Sequence, residues 1–122
     1  MRFLIIVKAT AESEAGTLPE QSLMARMAAF HEELSRAGVL LDASTLRPSI
    51  EGWRIRHHGA SHTVIAGPFA DDGKLMAGYT LIQARSREEA LEWARRFPSP
   101  CGEGLSSEIE VRPLYALDEL AP

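Results

Sequence analysis

A chain of 122 residues, 45% hydrophobic and 25% charged, has the composition of one ordinary globular domain, which excludes a disordered or collagen-like chain. It contains no run of 18 apolar residues, so no membrane-spanning helix is expected. The formal net charge is −4; residues 1–60 carry seven basic and seven acidic side chains and residues 61–122 carry six and ten, so the excess lies in the second half and no basic footprint for nucleic acid is present.

Phe3-Leu4-Ile5-Ile6-Val7 is apolar without alternation and predicts a strand buried on both faces. The run is too short for the core of a signal peptide and has no small-residue cleavage site after it. With a single cysteine, Cys101, unable to close an intrachain disulfide, the expectation is a cytoplasmic protein. Residues 9–16 are small and polar and predict a loop. Thr17, Pro19 and Glu20 then have the spacing of a capped helix start, and Leu23, Met27, Phe30 and Leu34 follow at helical intervals up to Gly38, which tolerates the left-handed conformation found just past helix ends. Val39-Leu40-Leu41 opens another strand.

Residues 53–58 and 62–66 form the arms of a predicted hairpin, with Trp53 and Ile55 alternating with Arg54 and Arg56. A Gly59-Ala60 turn sets His58 opposite Ser61 and His57 opposite His62, so His57 and His62 share the face of Ile55 and Val64. A loop is expected over 67–77 and a strand over 78–84. Ser86 and Glu89 mark a second helix start, with Ala90, Ala94 and Phe97 on one face and Pro98 and Pro100 as the stop. Glu108-Ile109-Glu110-Val111-Arg112 alternates and predicts a half-buried last strand. The order is that of an α+β, ferredoxin-like sheet with two helices on one face. Its other face has no helix to cover it, and the apolar first strand predicts that a second copy of the chain does so, giving a homodimer.

Several segments in one order carry a resemblance: Gly67-Pro68-Phe69-Ala70, then Gly78-Tyr79-Thr80-Leu81-Ile82, then Ser86-x-x-Glu89-Ala90-Leu91-Glu92-Trp93-Ala94, then Glu110-Val111-Arg112-Pro113. Together with the first strand and the stretch from Phe30 to Leu40, the chain resembles the YCII-related superfamily, in particular its DGPF-domain branch. The resemblance implies a single ferredoxin-like domain that pairs as a dimeric α/β barrel, and some relatives are associated with alternative sigma factors. The branch is named for Asp-Gly-Pro-Phe, and here Ala66 stands in the first position. The superfamily is also associated with a His–Asp pair; its histidine precedes the helix-ending glycine by about three helical turns, which falls near Met27 and not on His31, so the pair is not carried over.

The loop 66–78 is the leading candidate site. Glycine and proline fix its backbone, and adjacent Asp71 and Asp72 suit acid–base chemistry when both are desolvated. Lys74 can orient an anion, and Gly67, Pro68, Phe69 and Tyr79 line the expected cleft. His31, at the edge of the first helix's apolar stripe, is the expected proton partner. Two histidines at the hairpin tip are fewer than zinc ordinarily takes, so no metal is expected. No phosphate-cradling glycine motif is present, so no cofactor is expected either. Arg54 and Arg56 fit either an anion clamp or the wet side of a hairpin. The functional expectation is small-molecule binding with cofactor-free lyase or isomerase chemistry; the alternative is a non-catalytic ligand-binding or regulatory module linked to transcription.

Overall fold

The computed structural model describes residues 1–70, 73–102 and 107–121. Strands β1 (Arg2–Lys8), β2 (Leu40–Thr45), β5 (Met76–Gln83) and β6 (Ile109–Pro113) form one sheet in the order β2-β5-β1-β6, and β3 (Trp53–His58) and β4 (Ser61–Ala66) form a separate two-stranded sheet. The helices are a single turn, α1 (Ala11–Glu14), and the longer α2 (Gln21–Arg36) and α3 (Arg87–Arg95). Every pairing in the larger sheet is antiparallel. With the hairpin set aside, the chain runs β-α-β-β-α-β in the ferredoxin-like order expected from the sequence.

Strand alternation sorts the side chains. Phe3 and Ile5 on β1 and Ile82 on β5 are buried together with Phe30 and Leu34 of α2, Ala90 of α3 and Phe97 just beyond it, so both long helices lie on one face. Phe30 is the hinge of this layer, meeting the Phe97 ring edge-on at 5.3 Å and the Trp93 ring at 6.5 Å. The opposite face carries Leu4, Ile6, Tyr79 and Leu81, all only half-buried in the single chain. The predicted covering of this face by a second copy concerns a surface that the chain itself leaves partly open.

Thr17 does not cap α2, whose first turn follows Glu20 with no side-chain cap. The capping box sits instead on α1, within residues 9–16 where the composition predicts a loop: Thr10 Oγ1 accepts from the Ser13 amide at 3.1 Å and Ser13 Oγ from the Thr10 amide at 2.8 Å. Pro19 followed by Glu20 in extended backbone delays the longer helix by a few residues. At α3 the Ser86 cap forms as predicted, its Oγ accepting from the Glu89 amide at 3.1 Å. Gly38, at φ +73°, closes α2.

Candidate functional site

The centre of the helix–sheet seam holds the only buried polar side chain among the described residues, Thr80, 1% exposed. On β5 it lies between Ile5 of β1 and Ala43 of β2, on the helix-facing side with Ile82. A hydroxyl in such a place needs a partner, because burying it unpaired is costly. His31 supplies it. One residue beyond Phe30 on α2, it stands at the margin of the stripe formed by Leu23, Phe30 and Leu34, and its Nε2 is 2.8 Å from Thr80 Oγ1.

The His31 ring is half-buried, and burial lowers its pKa from the ordinary 6.5, because desolvation penalises the imidazolium. The ring is thus held neutral near pH 7, with one nitrogen anchored and Nδ1 making no hydrogen bond to a described residue. An anchored neutral imidazole with a second nitrogen available is suited to moving a proton. Where Nε2 donates to Thr80, Nδ1 carries the lone pair; where Thr80 donates, Nδ1 carries the hydrogen.

The loop candidates divide. Asp71 and Asp72 lie outside the described residues. The Gly-Pro-Phe segment is a root for the hairpin. The Gly67 amide donates to the Gly52 carbonyl at 3.0 Å, the Gly67–Pro68 bond is cis, and the Phe69 amide donates to Ser49 Oγ at 3.0 Å. Ser49 is itself held by Glu14, whose carboxylate accepts from both the Ser49 amide, at 3.0 Å, and its hydroxyl. A Cβ on Gly67 would fall 1.8 Å from the Ser49 carbonyl oxygen, so only glycine fits. The Phe69 ring lies under the Arg54 guanidinium, 3.9 Å from the ring centre, so Arg54 is engaged in a cation–π contact. Lys74 is exposed, and at the loop's end Lys8 Nζ is 3.4 Å from the Gly73 carbonyl oxygen.

Tyr79 projects from the other face of β5, where its hydroxyl donates to Asp42 Oδ2 at 2.7 Å. It therefore does not share a site with His31. Thr80, the residue that does, is not among the candidates that the sequence singles out. The signal was a hydroxyl on the buried parity of an apolar strand, two positions before Ile82. The Glu14–Ser49–Phe69 link joins segments 35 and 20 residues apart and leaves no local trace in the sequence.

Residues 1–115 match the YCII-related domain family. This chain is a YCII-related protein. It is 30% identical over 101 residues to an uncharacterised protein of Rhizobium meliloti (strain 1021), a match covering 83% of this YCII-related chain and 82% of the relative. Among solved structures, it aligns over 98% of both chains with the 5-chloro-2-hydroxyhydroquinone dehydrochlorinase of Burkholderia phenoliruptrix AC1100, determined in complex with 2,5-dihydroxybenzoquinone, at 17% identity and a TM-score of 0.48.

Proposed function

We propose that this YCII-related protein binds a small molecule at the seam between α2 and the sheet and moves a proton on it, in cofactor-free chemistry of the lyase or isomerase type. His31 is the acid–base group and Thr80 the positioning residue that anchors its ring through Nε2. The observation that carries this reading is the 2.8 Å hydrogen bond between a half-buried imidazole and a hydroxyl at the centre of the fold. Structural histidines at a helix–sheet boundary usually satisfy one nitrogen; here burial also holds the ring neutral, the state a general base needs.

In this reading Asp71 and Asp72 remain the candidate second proton carriers and Lys74 a substrate-orienting cation, with the Gly67-Pro68-Phe69 turn fixing the start of their loop. That turn, built around a position where only glycine fits, also supports placing the protein in the DGPF branch. A second copy covering Leu4, Ile6, Tyr79 and Leu81 completes a dimeric α/β barrel in the cytoplasm. Light scattering at micromolar concentration tests the pairing: a clean monomer removes it.

The decisive experiment screens a metabolite panel for thermal stabilisation, which grows as RT ln(1 + [L]/Kd), and follows each hit for turnover. A His31→Gln variant that keeps binding and loses turnover supports the assignment. Turnover unchanged in that variant removes His31 from the mechanism, and binding without turnover in the native chain makes the protein a ligand-binding module.

A further inference from the structure

The tip of the β3–β4 hairpin sets two imidazoles side by side on one face. His58 and Ser61 flank the Gly59-Ala60 turn, and the next rung pairs His57 with His62. Rungs of an antiparallel ladder alternate, and the pair closing a two-residue turn is hydrogen-bonded. His57 and His62 therefore occupy a non-hydrogen-bonded rung, where facing side chains stand closest. Their ring centres are 6.3 Å apart with the planes at 52°, tilted and unstacked. A metal–imidazole bond of about 2.0–2.1 Å places an ion roughly 3 Å from each ring centre, so two rings at this separation can share one ion after small rotations. Both side chains are exposed, and neither ring is engaged in a hydrogen bond with a described residue.

We propose that His57 and His62 form a two-toothed site for a late first-row divalent ion, Cu2+, Ni2+ or Zn2+, with water completing the coordination. Imidazole is a ligand these ions favour, and affinity among them should peak at Cu2+. Among the described residues no third histidine, cysteine, aspartate or glutamate joins the pair, so the site is open and exchangeable and unlike a closed structural zinc centre. The neighbours on the same face are Ile55 and Val64, which bring no competing charge. Strand pairing holds both ligands in place before the ion arrives, which gives the second imidazole a high effective concentration once the first has bound. The consequence is local: a two-stranded hairpin is marginal by itself, and an ion clamped one rung from its turn opposes fraying there.

The test titrates the full, tag-free chain with NiCl2 and with CuCl2, followed by calorimetry and by the histidine ring signals in NMR. One ion per chain is expected, with paramagnetic broadening at His57 and His62 and neither at His31 nor preferentially at His58. His57→Ala and His62→Ala should each weaken binding by roughly 10²-fold, the advantage of the second tooth, whereas His58→Ala should leave it unchanged. With Ni2+ bound, the amides of residues 53–66 should exchange with solvent more slowly. Native affinity in His57→Ala or in His62→Ala, broadening centred on His58, or one ion per two chains would overturn the proposal.

Discussion

The larger sheet and the β3–β4 hairpin are both antiparallel and reach opposite ends of the burial scale. Ile5 and Ile82 are 0% exposed, while Trp53 and Val64 are 66% and 62% exposed. Both regions show alternating or continuous apolar strands and both pair antiparallel. What separates them is company. The sheet has two helices laid on one face, whereas the hairpin is attached mainly at its root, through Gly67, Phe69 and the Arg54–Phe69 stack. Strand pattern reports that a segment will pair; burial is decided by what packs on the pair.

The widest expected gap between the regions comes from truncating one apolar side chain in each. Ile5→Ala should cost about 2–5 kcal/mol, and Val64→Ala should stay within about 0.5 kcal/mol, both read from urea denaturation. Similar costs at the two sites would mean that the hairpin is packed as firmly as the core. Next comes the joint between them. Gly67→Ala forces a Cβ onto the Ser49 carbonyl and should cost ~1–3 kcal/mol or more, with amide protection lost first in residues 53–66. Loss spread evenly over the sheet would show that the root is part of the core's cooperative unit.

Thr80→Val keeps the volume and removes the partner of His31 Nε2, with an expected cost of ~1–3 kcal/mol and a displaced His31 Nε2 signal in 15N spectra as that hydrogen bond is lost. The same histidine makes core stability depend on pH. Its folded pKa lies below the ordinary 6.5, so the unfolded chain takes up the proton first. Stability is therefore full above 6.5 and declines as the pH falls from 6.5 through the lower folded value; His31→Gln should flatten that slope. The smallest effect is expected at Glu110, whose carboxyl is held below the usual range chiefly by its hydrogen bond with Lys8, at 3.1 Å, and by Arg112 at 3.2 Å. Glu110→Gln should leave the midpoint nearly unmoved at physiological salt, because the pair is open to solvent and screened.

Much of the fold was legible because its determinants are local. The Gly59-Ala60 turn, the His57–His62 register and the Ser86 cap all depend on residues within a few positions of one another, and each forms as read. The delayed start of α2 was not, because Thr17 offers a cap that the extended backbone at Glu20 leaves unused. The site was legible in one half. His31 stands out as a titratable residue at the edge of an apolar stripe. Thr80 does not, since its meaning depends on α2 crossing β5 at that height, a contact 49 residues long in sequence. Tyr79 stands beside the loop residues in the chain, and strand alternation sends it to the opposite face.

The close approach of Gly67 to the Ser49 carbonyl has a consequence for how the chain can vary. Everything distal to that contact, out to the Gly59-Ala60 turn, is borne on a root that Ser49, itself held by Glu14, grips independently of the arm's length. Lengthening a loop costs only about 0.6 kcal/mol per doubling, so residues added or removed at the tip change the reach of the arm without disturbing Thr80 or His31. The hairpin is where this architecture can accept grafted sequence, and Gly67 marks the boundary at which that freedom stops.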